Sequence, residues 1–116
     1  MGTNATNGYT MTLNGATLTD GANTITSIGA SNTASSVGSE QFGLRFVPSG
    51  GTGAVTAPYA AAGFAFDTAS FPDQIASASA PSANTTYSAR YLANIAALTE
   101  AGSYSATLTY TATANF

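Results

Sequence analysis

From Ser103 to Phe116 the chain alternates without a break between hydroxyl and apolar residues. Ser103, Ser105, Thr107, Thr109, Thr111 and Thr113 fall on one side, and Tyr104, Ala106, Leu108, Tyr110, Ala112, Ala114 and Phe116 on the other. Only a β-strand, whose side chains change face at every residue, gathers such a pattern onto one apolar surface. The segment therefore predicts a half-buried antiparallel strand. A long strand of this kind has two uses: it closes the sheet of its own domain, or it is lent to the open edge of a neighbour. For a lent strand the contacts would come from Tyr104, Leu108, Tyr110 and Phe116.

Composition narrows the chemistry. A chain of 116 residues supports one core, so residues 1–116 are expected to form a single domain. There is no His, Cys, Trp or Lys, and the charged set is Arg45, Arg90, Asp20, Glu40, Asp67, Asp73 and Glu100. A Ser–His pair, a thiolate nucleophile, a His or Cys zinc site and a Lys Schiff base are all excluded. So is a Lys–Asn isopeptide crosslink. A net charge of −3 with two cations gives no electrostatic footprint for nucleic acid or anionic lipid. The expectation is a protein with no cofactor, no metal, no nucleic-acid partner and no membrane insertion. No apolar run approaches the roughly 18 residues of a membrane span.

Charged residues make up 6% of the chain, against roughly 25% in an average globular protein. The 44% of apolar residues is too high for a disordered segment. Solubility must come from Thr, Ser, Asn and Gly, a composition associated with exported surface proteins. Without cysteine the redox state of the compartment leaves no mark. Met1-Gly2-Thr3 carries neither a basic nor an apolar leader, so for an exported protein the signal is expected to have been removed.

Tyr9 to Leu13 alternates, Asn14-Gly15 is a type I′ turn pair, and Ala16 to Thr19 is expected to return as a hairpin. Asp20-Gly21 is a second turn before a strand over Asn23 to Ile28, and Ser31 to Ser39 reads as a loop. Gln41 to Val47 is a central strand with Phe42, Leu44 and Phe46 on one face. Pro48 to Pro58 is a Gly-rich loop, Gly63 to Phe66 a short strand, Asp67 to Asp73 a turn, and Gln74 to Ser79 a weak strand. Thr85 to Asn94 places Tyr87, Ala89, Tyr91 and Ala93 on one face. Seven to eight short strands separated by turn signals predict an all-β fold, an immunoglobulin-like antiparallel β-sandwich. Its core is expected from Phe42, Leu44, Phe46, Tyr87, Tyr91, Tyr104, Leu108 and Tyr110.

Thr3-Asn4-Ala5-Thr6-Asn7-Gly8-Tyr9-Thr10, Tyr87-Ser88-Ala89-Arg90-Tyr91-Leu92-Ala93-Asn94-Ile95, Ala101-Gly102-Ser103-Tyr104-Ser105 and Leu108-Thr109-Tyr110-Thr111 together resemble a family of small secreted bacterial cell-surface proteins with pilus-like or cell-wall-like β-sandwich domains. The resemblance spans most of the chain and rests on strand and turn motifs, which speak to architecture rather than activity. It implies an export signal and about one further strand ahead of the Thr-Asn-Ala segment, at which this chain starts. Two alternatives follow: a sheet complete within one chain, or one that lacks the upstream strand.

Several functions compete. The first is a non-catalytic, extracellular structural or adhesion protein of a bacterial surface, a filament or array subunit that self-associates by strand exchange or binds other surface proteins and glycans. The second is a carbohydrate-binding module, with Tyr59 and Phe71 as stacking rings and Asp67, Asp73 and Gln74 as hydrogen-bonding groups. Buried anchoring is the plainer role for those rings, and the absence of Trp counts against sugar stacking. The one enzyme chemistry available is a two-carboxylate glycosidase with Asp67 and Asp73 converging across a turn, but a small sandwich offers little to raise either pKa. No calcium-loop spacing accompanies them. The Thr row from Thr107 to Thr113 suggests ice binding, yet a single strand supplies a single row.

Overall fold

The alternation of Gln41 to Val47 acts as foreseen: Phe42, Leu44 and Phe46 are buried at 0–4% exposure, while Arg45 and Val47 between them stay partly accessible. Around this strand the computed structural model, which describes residues 1–116, builds eight strands and no α-helix. They are β1 (Tyr9–Gly15), β2 (Gly29–Thr33), β3 (Gln41–Ser49), β4 (Ala54–Val55), β5 (Phe64–Phe66), β6 (Asp73–Ala78), β7 (Thr86–Asn94) and β8 (Leu108–Ala114). Two four-stranded antiparallel sheets result, ordered β4-β6-β1-β8 and β2-β5-β3-β7. The fold is an all-β sandwich of eight strands.

Leu13 and Ile75 from one sheet meet Phe42, Leu44, Phe46 and Phe66 from the other, with Ile25 and Tyr59 contributed by loops. The rings prefer edge contacts, as their quadrupoles dictate. Phe42 and Phe66 lie 4.8 Å apart, and Phe66 and Phe71 5.0 Å. Alanines at 65, 76 and 78, all buried, leave space for these large neighbours on facing positions. Pro48 is tolerated inside β3 because Phe42 and Phe46 donate their N–H groups away from β7, to Thr26 and Tyr59. By alternation the missing N–H at position 48 also faces away from β7, so its pairing with Tyr87 loses no bond.

The expected first hairpin does not form. Asn14 and Gly15 continue β1 and pair with Thr109 and Leu108 of β8. Long-range pairing on both sides of β1, with β6 and β8, overrides the local turn preference of Asn-Gly. The second turn does form. Asp20 accepts from the backbone N–H groups of Ala22 and Asn23, and Thr19 bridges to Thr24. Beyond it, Asn23 to Ile28 makes only isolated bridges, and the regular strand is displaced to Gly29–Thr33, running into the start of the segment read as a loop.

Candidate functional site

β8 and β7 are the last strands of their sheets, brought to the same side by the Tyr91–Tyr110 and Phe46–Tyr110 contacts, and here the sandwich is open. β8 is bound along its whole length to β1, from Tyr9↔Ala114 to Gly15↔Leu108, so the last strand belongs to its own sheet. What is free is its outer edge. Asn115 donates to the Gly8 carbonyl and accepts from the Asn7 N–H. Counting back by twos, Thr113, Thr111 and Thr109 aim their backbone groups at β1, whereas Ala114, Ala112, Tyr110 and Leu108 aim theirs outward. The same count on β3 leaves the backbone groups of Tyr87, Ala89, Tyr91 and Ala93 facing outward from β7.

The side chains of those same residues face the interior, and no strand covers them. Between the edges lies a groove of about 170 Å3 lined only by Met11, Phe46, Ile75, Tyr87, Ala89, Tyr91 and Tyr110. That volume is close to the roughly 150 Å3 of an apolar cavity able to hold a benzene ring. One large apolar side chain fits. Two phenol pairs span the gap between sheets: Tyr9 with Tyr87, and Tyr91 with Tyr110, each with hydroxyl oxygens 2.6 Å apart. Gly53 makes room for the first pair, because a Cβ there would collide with both hydroxyls. Burial first, and the hydrogen bond second, hold the Tyr87 and Tyr110 phenols above their ordinary pKa.

The apolar character extends past the groove. Tyr91 is 54% and Tyr110 39% exposed, and Ile95, Leu98 and Phe116, which follow β7 and β8 in sequence, are 65%, 93% and 90% exposed. Val37 is the one large exposed apolar residue elsewhere. A stripe along two unpaired edges, with free backbone donors and acceptors, is the surface on which an extended strand docks.

The residues singled out in the sequence separate into two groups. Leu108 and Tyr104 pack partly buried against the core, and the Tyr104 hydroxyl donates to the Glu100 carbonyl. Burial, followed by the negative charges of Asp20, Glu40 and Glu100, raises that phenol's pKa. Tyr110 lines the groove, and Phe116 projects beyond the end of β8. The sugar-binding set lies elsewhere and is engaged structurally. Tyr59 is 1% exposed, stands edge-on to Phe46 and donates to Asp73 at 2.8 Å; Phe71 packs on Phe66. Tyr59 offers no free face, and Phe71 is partly buried against the core. Asp67 caps the 3-10 turn Thr68–Ser70 by accepting from Ala69 and Ser70, and Gln74 donates to Thr56.

Sequence reading placed Tyr91 and Tyr110 in the core. They are instead at the rim, and the signal that separates a covered from an uncovered apolar face is topological: both strands carrying it are last in their sheets. No group of three or more Asp, Glu, His or Cys side chains converges as a metal site, and no helix is long and apolar enough to cross a membrane. Comparison of the chain with protein-family models, with curated proteins and with solved structures finds no match.

Proposed function

We propose that this chain is a non-catalytic structural module of a bacterial surface that self-associates by adding strands at the open β7/β8 side. The carrying observation is the groove itself, an apolar slot flanked by two strands whose outward backbone groups have no partner. The sparsely charged, hydroxyl-rich composition and the resemblance in sequence support an extracellular location.

The occupant we infer is β8 of a second copy. β8 carries no charge, no Pro and no bulge against β1, so it lacks the devices that protect exposed edges from pairing. An antiparallel two-fold register centred on Thr111 sets Tyr110 opposite Ala112, Thr109 opposite Thr113 and Leu108 opposite Ala114. Large residues then meet small ones, and Thr meets Thr. It also matches the outward backbone groups of Tyr110 and Ala112 to one another. The equivalent register for β7 would centre on Arg90 and oppose it to its own copy, which like-charge repulsion disfavours.

Light scattering across a concentration series tests this. The wild-type protein is expected to pass from monomer to dimer or larger species. Ala112→Pro removes an outward N–H that the monomer does not use, so it should leave a folded monomer that no longer associates. A wild-type protein that stays monomeric at every concentration, or association unchanged by Ala112→Pro, overturns the reading.

A further inference from the structure

The two cations of the chain stand side by side on the outer face of the β2-β5-β3-β7 sheet, opposite to the groove. Arg45 of β3 and Arg90 of β7 are register partners. Leu44 and Phe46 point into the core while Ala89 and Tyr91 point into the groove or its rim, so alternation sends both arginines to the other face. Directly opposed residues on antiparallel strands hold their Cβ atoms roughly 4.5–5.5 Å apart, and like charges so placed repel. The chain has five carboxylates, yet those that bond do so to other groups. Asp20 accepts from Ala22 and Asn23, Glu40 from Thr26 and Thr99, Asp67 from Ala69 and Ser70, and Asp73 from Tyr59.

Arg45 is held in place without being satisfied. Its guanidinium carbon sits 5.6 Å from the centre of the Phe64 ring, a stacking contact that restrains the planar group. Its Nε is buried with no hydrogen-bond partner, and a buried donor left unpaired is costly. Arg90 beside it is exposed, and Ser88, the next residue of β7 on the same face, adds a hydroxyl opposite Val47. Neither guanidinium has a carboxylate partner, and the two side chains rise from opposed positions on one sheet face. An oxyanion seated between the two side chains removes the repulsion and supplies acceptors to both guanidinium groups.

We propose that Arg45 and Arg90 form a binding site for a tetrahedral oxyanion, the sulfate or phosphate group of an acidic glycan or the free inorganic ion. The site lies on the sheet face away from the groove, so it does not depend on the assembly reading.

With two arginines in the chain, the two Nε–H signals in a nitrogen-15 NMR spectrum are assigned by single substitutions. Sodium sulfate titrated against sodium chloride at matched ionic strength is expected to shift both signals along one saturating curve in the low-millimolar range. A sulfated oligosaccharide should compete on the same curve with tighter binding if the natural source is a glycan, and with equal or weaker binding per sulfate if it is the free ion. Arg90→Gln, at an exposed position, should keep the fold, weaken sulfate binding at the Arg45 signal by about tenfold or more, and raise the melting temperature in chloride by removing the repulsion. Arg45→Gln should abolish saturation at Arg90. Non-saturating shifts in the wild-type protein, or sulfate binding that survives in Arg90→Gln, would overturn the proposal.

Discussion

Leu44 and Leu108 show how much a single side chain's position decides. Leu44 is 0% exposed and surrounded by core residues, whereas Leu108 is only partly covered at the edge strand. Truncation of a fully buried leucine costs about 2–5 kcal/mol, the range reflecting the cavity left behind. Leu44→Ala should fall in that range in denaturant melts and Leu108→Ala clearly below it. Equal losses would mean that β8 is covered in the isolated protein. The tyrosines give a second test. Tyr59, Tyr87 and Tyr110 have pKa values raised above the usual 10.0, by burial first and by hydrogen bonds to Asp73, Tyr9 and Tyr91 second. A group whose folded pKa is raised gives stability that is complete below the unfolded pKa and is lost above it. The protein should therefore hold its melting temperature up to about pH 10 and lose stability as the pH climbs further. Ultraviolet titration should show part of the six tyrosines ionising late. Simultaneous ionisation of all six near pH 10 in the folded protein would contradict the phenol pairs.

At the scale of elements, β8 is the strand on which two accounts differ. It contributes seven register pairs to β1, and β1 carries Tyr9 and Leu13, both fully buried. Deleting Thr111 to Phe116 removes the pairs that shield the Tyr9 end of β1 and uncovers the core. The shortened chain should lose cooperative melting; a truncated protein that melts like the full chain would show that β8 is dispensable to its own sheet. The strands most legible in the sequence were those with apolar residues at every second position, bounded by turn signals. Gln41 to Val47, Phe64 to Phe66, Gln74 to Ala78 and Thr86 to Asn94 appear close to where alternation puts them. Asn14-Gly15 misled because a local turn preference competes with two long-range ladders, and β2 was hidden because Ala30 to Thr33 is exposed and carries no apolar alternation. The groove was illegible for a further reason. Alternation reveals which residues share a face, but whether another strand covers that face depends on sheet order, and order is set by pairings between residues far apart in the chain.

The molecule as a whole is elongated, 51 × 25 × 20 Å, with one long side open along β7 and β8. A nine-residue strand at about 3.4 Å per residue runs roughly 30 Å, so the open side offers backbone partners over much of the molecule's length. The central claim is that the outward groups of β8 pair with the β8 of another copy. Residue-resolved amide hydrogen exchange over a concentration series tests it most directly, because the two sets of amides on β8 differ in what they bond. In dilute solution Thr109, Thr111 and Thr113 should be protected by β1, while Tyr110, Ala112 and Ala114 exchange freely. At high concentration the second set should become protected, with Tyr110 and Ala112 the most strongly affected. If Tyr110 and Ala112 exchange freely at every concentration while Thr111 stays protected, the edge is not an assembly surface and the account fails.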